Sequence, residues 1–145
     1  RLMNKMMVPG HRGKKHKISS YHCTGKSTKV YKSVIKAFEL IEKETKQNPV
    51  QVFVTALENA APREEVTSIE YGGARYSKAV EVSPLRRIDY TLRLMVQGSY
   101  SKSFNNKVSI ERTLANEILN AYKISQDSAA IQKKLELERQ SDSSR

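Results

Sequence analysis

The 145-residue chain contains one cysteine, Cys23, and no tryptophan. A lone cysteine excludes an internal disulfide, which fits a reducing cytoplasm. No apolar run approaches the roughly 18 residues of a membrane span. The opening RLMNKMM lacks the apolar stretch of a signal peptide, and its first residue, Arg1 rather than Met, allows for residues upstream. The most telling absence is acid. Residues 1–38 hold ten Lys or Arg and no Asp or Glu, whereas the remainder holds sixteen basic and fifteen acidic residues. One segment therefore carries nearly all of the net charge of +11. Such a segment is the footprint of a polyanion, because Lys and Arg that neutralise phosphates release counterions. A membrane surface fits less well, since few large apolar residues follow Met7.

The rest of the composition is that of a folded chain. Apolar residues make up 38% and charged residues 28%, and this length is enough for one domain with a core. Residues 8–28 are rich in Gly, Ser, Lys and His, have no period, and read as part of a basic N-terminal arm, 1–28. A helical domain is expected over 29–139. From Lys29, Tyr31, Val34, Ile35, Phe38 and Ile41 share one helical face. Asn48-Pro49 reads as a cap followed by proline at the first helical position. Val50, Phe53, Val54 and Leu57 form the stripe of that second helix, although VQVFV also alternates like a strand.

Residues 65–82 read as a β-hairpin whose two-residue turn is Gly72-Gly73. Ser83-Pro84 opens a helix with Leu85, Ile88, Leu92 and Met95 inward. GSYSKSFNNK, 98–107, reads as a loop. Ser109 caps a helix carrying Ile110, Leu114, Ile118 and Tyr122, and Asp127 caps a last helix, with 140–145 a mobile tail. The expected fold is mainly α, five to six helices with one hairpin. A lone hairpin is marginal by itself, so this one should project from a helical core.

Three chemical signatures fall short. Gly25-Lys26-Ser27-Thr28 resembles the end of a phosphate loop, but the required upstream glycine is replaced by Ser20 and no strand precedes it. His11, His16, His22 and Cys23 lie within 13 residues but match no paired zinc-ligand spacing, and histidines in a basic arm can instead stack on or donate to RNA. No spacing assembles a nucleophile with a base. No catalytic residue, metal or cofactor is expected.

At the hairpin the chain resembles a known family. ENAAPREEVTSIEYGGARYSKAVEVSPLRRIDYTLR, 58–93, is similar to the universal small-subunit ribosomal protein seven family in its helix-ending ENAAPR, its YGGARY turn and its VEVSPLRR junction. LMNKMM resembles that family's first helix, and SIERTLANEILNAY a late one. Ser68-Ile69-Glu70-Tyr71 before the turn, and an ending at SSR, resemble archaeal members more than bacterial ones. Residues 8–24 resemble an insertion relative to the shortest members.

The resemblance implies a structural, non-enzymatic constituent of the small ribosomal subunit in the cytoplasm. It implies binding to the 3′ major (head) domain of small-subunit rRNA, nucleation of head assembly, and a hairpin near the exit-site tRNA and mRNA path. Neighbouring head and platform proteins are the implied protein partners, with no membrane and no obligate homo-oligomer. By position it points to Lys26 in the Gly-Lys signature, Arg75 and Tyr76 after the tip, Arg86 and Arg87 opening the next helix, and Lys102 and Lys107 in a loop near rRNA. Lys14, Lys15, Lys17, Lys29 and Lys78 are candidates from charge and place in the chain. Without the resemblance, a DNA-binding regulator using a helix pair and a basic-armed adaptor for acidic proteins stay open. The former should dimerise on one operator, and the latter should bind nucleic acid weakly.

Overall fold

The computed structural model describes residues 1–10 and 26–145. In chain order the elements are α1 (Leu2–Met7), α2 (Ser27–Thr45), α3 (Pro49–Ala60), β1 (Glu64–Tyr71), β2 (Ala74–Glu81), α4 (Pro84–Ser103), α5 (Ile110–Tyr122) and α6 (Ala129–Ser143). The fold is mainly α with one antiparallel hairpin, as expected.

Local chemistry sets most of the boundaries. Asn48 Oδ1 accepts the Val50 amide at 3.0 Å, and Pro49 follows it, so the 49–60 stretch is a helix and not a strand. Ser83 and Ser109 cap α4 and α5, accepting the Arg86 and Arg112 amides at 3.4 Å. α2 ends as Lys46 turns left-handed, its N–H returning to the Glu42 carbonyl. At the hairpin tip Gly72 and Gly73 have φ +56° and +82°, the pair of positive values that a two-residue primed turn needs and that costs glycine least.

α5 lies at the centre of the core, with α2, α3 and α4 packed around it. Ile41, Met95, Leu114, Ile118 and Ile131 are fully buried there. α1 belongs to this core, since Leu2 and Met6 are buried against it. The first ten residues are therefore docked structure, with Gly10 close to Gln97 of α4. Lys26 re-enters at the start of α2.

The inward faces differ from the expected stripes. Tyr31 and Ile35 on α2, Val50 and Val54 on α3, and Leu85 and Ile88 on α4 are exposed. Val34 and Ile41 are buried as expected and are joined by Val30, Ser33 and Ala37, while α3 makes its contacts through Val52, Ala56 and Ala60. Ser33, Ala37, Ala56 and Ala60 let the helices approach closely, which turns the contact line away from Tyr31, Ile35, Val50 and Val54.

The expected 98–107 loop begins only at Phe104, because α4 continues through Gly98 to Ser103. Gly98 is a packing glycine and not a helix breaker: a Cβ there would lie 2.8 Å from the Ala129 Cβ of α6. Residues 140–143 complete α6 instead of starting a tail, with Ser141 buried and Arg145 paired to Glu64. The cap of α6 is Ser128 and not Asp127.

Candidate nucleic-acid interface

The hairpin register separates its side chains into two faces. Tyr71 opposes Ala74, Ile69 opposes Tyr76, and Thr67 opposes Lys78. Opposed residues in an antiparallel pair point to one side, so Tyr71, Ile69, Tyr76 and Lys78 share a face. The two tyrosines are 70% and 59% exposed. The opposite face carries Glu70 against Arg75 and Ser68 against Ser77. Arg75 therefore lies across the sheet from Tyr76 and Lys78. Exposed rings beside a lysine are the kind of surface on which unpaired bases can stack. Tyr71, read in the sequence only as a strand position, shares that face; its cue is parity with Ile69, with Gly72 next in the chain.

Ion pairs hold the hairpin base. Arg86 of α4 donates Nε and Nη2 to Glu65 Oε1 and Oε2 at 2.8 and 2.9 Å. These hydrogen bonds, and then the charge of Glu65, push the guanidinium above its ordinary pKa. Arg63 reaches Glu138 at 3.2 Å, tying the base to α6, and Arg145, just past α6, reaches Glu64 at 2.5 Å. Arg87 donates Nε to the Pro62 carbonyl. Arg86 and Arg87 thus secure the hairpin to the helices, although a guanidinium has five N–H donors and Glu65 takes only two from Arg86.

Lys102 has a comparable internal task. Its ammonium lies 3.2 Å from Glu117 Oε2 and donates to the Asp127 carbonyl at 2.8 Å. Glu117 is fully buried in α5. Its Oε1 accepts the Ser128 hydroxyl at 2.8 Å and the Ala129 amide at 2.7 Å, so the carboxylate sits at the N-terminus of α6. A fully buried carboxylate needs a countercharge and hydrogen bonds, and Lys102 supplies the charge. Nothing in the sequence marked Glu117, whose position on the helix reads as inward but whose residue type reads as solvent.

Lys26 and Lys29 are exposed at the start of α2, and Lys32 and Lys36 continue along that helix. Lys107 is exposed in the α4–α5 loop. Lys14, Lys15, Lys17, His11, His16, His22 and Cys23 lie outside the described residues. Among the described residues no group of three His, Cys, Asp or Glu could hold a metal, and the segment before Lys26 on which the phosphate-loop resemblance turns lies outside them. On α4, Arg86 and Arg93 lie 5.6 and 5.1 Å from the centre of the Tyr90 ring. Arg93 was not anticipated, although its i+3 spacing from Tyr90 was legible.

The family model described as ribosomal protein S7p/S5e matches residues 1–145. The small ribosomal subunit protein uS7 of Nanoarchaeum equitans is 57% identical over 145 residues, which is 100% of this chain and 73% of the relative. The protein of the same name from Picrophilus torridus is 48% identical over 145 residues, 100% of this chain and 72% of the relative. That of Methanothermobacter thermautotrophicus is 52% identical over 116 residues, 80% of this chain and 62% of the relative.

Proposed function

Because the chain belongs to the ribosomal protein S7p/S5e family, we propose that it binds the 3′ major (head) domain of small-subunit rRNA, nucleates head assembly and sets its hairpin beside the exit-site tRNA and mRNA path. The coarser statement follows from the family itself: the chain is a non-enzymatic, RNA-binding structural constituent of the small subunit of the cytoplasmic ribosome, a component of translation. Family membership leaves no support for the DNA-binding regulator or the acidic-protein adaptor.

The observation that carries the finer reading is the hairpin, whose tip holds two exposed tyrosines and Lys78 on one face while its base is fastened to α4 and α6. The division of labour follows from which cations are engaged. Lys26, Lys29, Arg75, Lys78 and Lys107 face solvent and hold phosphates, with Lys14, Lys15 and Lys17 added on charge alone. Tyr76 stacks on a base. Arg87 and Lys102 act first within the fold, and Arg86 does so while keeping donors for RNA. Phosphate contacts fix register, so the mechanism is binding without turnover. Neighbouring head and platform proteins complete the set of partners.

The test is competition at fixed salt between a head-domain rRNA fragment and duplex DNA of equal length. The rRNA fragment should be preferred by at least tenfold, with the protein monomeric. Equal affinity for both would leave only non-specific polyanion binding.

A further inference from the structure

A groove of about 300 Å³ opens between α1 and the first turns of α4, at the foot of the hairpin. Its walls include Lys5, Leu85, Arg86, Asp89, Tyr90 and Arg93. Resting on the rRNA-binding function above, we propose that this groove seats one unstacked nucleotide of the RNA, its phosphate on Lys5 and Arg93 and its nucleoside against Leu85 and Tyr90.

Charge supports the phosphate. Asp89 is paired to Arg1 at 2.9 Å, and Glu65 is paired to Arg86. Lys5 and Arg93 have no carboxylate partner among the described residues, and residues 11–25 contain no acid to supply one. Four cations against two carboxylates leave the groove cationic. The guanidiniums are also held in place. Arg86 is fixed bidentately by Glu65, and both Arg86 and Arg93 lie over the Tyr90 ring within cation–π distance. Donors already ordered lose less entropy on binding than free surface lysines do.

Shape supports a nucleoside. The volume is at the lower limit of small-ligand sites, enough for one nucleotide, whereas the backbone of an intact duplex would meet only the rim. Leu85 is 55% exposed beside these charges, an apolar wall that a phosphate alone would not use. RNA is read through bases that leave the stack and pack on aromatic or apolar side chains. Along α4 the groove lies between Gln97, beside Gly10, and the foot of the hairpin, so an RNA strand following that face from one to the other crosses it.

The experiment has two arms on the full chain. In the first, a head-domain rRNA fragment is titrated against the wild type, the double variant Lys5→Gln/Arg93→Gln, and Arg139→Gln on exposed α6 as a control, with circular dichroism confirming the fold. The double variant should bind about tenfold more weakly and flatten the slope of log affinity against log salt by one to two units, while the control stays near wild type. In the second, amide NMR shifts are followed on adding nucleoside 5′-monophosphates or inorganic phosphate. The monophosphates should shift residues of α1 and α4 around the groove at several-fold lower concentration than inorganic phosphate. Tight rRNA binding untouched by the double variant overturns the groove while leaving the rRNA function standing. Equal shifts from inorganic phosphate overturn the nucleoside seat, and failure of the wild type to bind the fragment overturns the function itself.

Discussion

Glu117 shows how one side chain can serve three helices. Its α5 carboxylate takes the Ser128 hydroxyl and Ala129 amide of the α6 start while holding Lys102 of α4. Glu117→Ala should cost about 3 kcal/mol, since it orphans buried donors and removes the countercharge together. Lys102→Ala should cost less, because the lysine is 45% exposed, but it leaves the carboxylate buried without its cation. A double-mutant cycle by urea unfolding should return a coupling of about 1–2 kcal/mol; additivity would mean that the pair is incidental. Glu111, in the first turn of α5, gives the pH dependence. Burial alone would raise its pKa, but its own backbone N–H, the Ser109 and Ser33 hydroxyls and the charge of Lys36 together hold it below its ordinary value. A carboxyl lowered on folding stabilises the fold above its unfolded pKa, near 4.5, and loses that contribution as pH falls through the folded value. Glu111→Gln should therefore lower the melting temperature at pH 7, with the gap to wild type closing as the pH falls below the ordinary glutamate pKa and through the lowered folded value. A gap that stays constant would show that the charge plays no part.

Elements were legible where their ends carry a chemical signature. Asn48-Pro49, Ser83-Pro84 and Ser109 each place a helix start correctly, and Gly72-Gly73 places the turn. Faces and lengths were less legible. The choice of Ala37 and Ala56 over Tyr31 and Val54 at the contacts depends on how closely α5 approaches, which no single helix encodes. Gly98 reads as a breaker until Ala129 is seen against it. Of the candidate site, exposure on the hairpin was readable from alternation, but the internal partners of Arg86 and Lys102 come from β1 and α5, far away in the chain. The hairpin itself is separable. Residues 71–76 are exposed throughout, so replacing the tip with a shorter turn should move the melting temperature by no more than about 2 °C. Subunits reconstituted with that variant should assemble their heads by sedimentation and footprinting, yet retain exit-site tRNA or reading frame less securely. Normal retention and framing would remove the tip from that role, and failed assembly would place it among the primary rRNA contacts.

The whole molecule divides charge from core more sharply than the basic arm, 1–28, suggested. Its first residues are structural: Leu2 and Met6 are buried, at roughly 2 kcal/mol each. Deleting 1–28 should therefore destabilise the helical domain measurably, and would confuse any binding result. The clean test of charge is Lys14→Gln/Lys15→Gln/Lys17→Gln. It should leave the urea midpoint unchanged while flattening the salt dependence of rRNA affinity by about two to three units. An unchanged slope would make those lysines bystanders.

The docking of α1 also sets a geometric limit. Gly10 lies near Gln97 and Lys26 opens α2, so the residues between them join two fixed points of the fold. Covalent geometry allows at most about 3.6 Å per residue, and the midpoint of that stretch is about eight residues from either point. Chain length alone therefore puts every lysine between them within roughly 30 Å of the nearer of the two. A tail held at one end could sweep about twice that radius. RNA held by those lysines must therefore pass close to the α1–α4 face or to the start of α2.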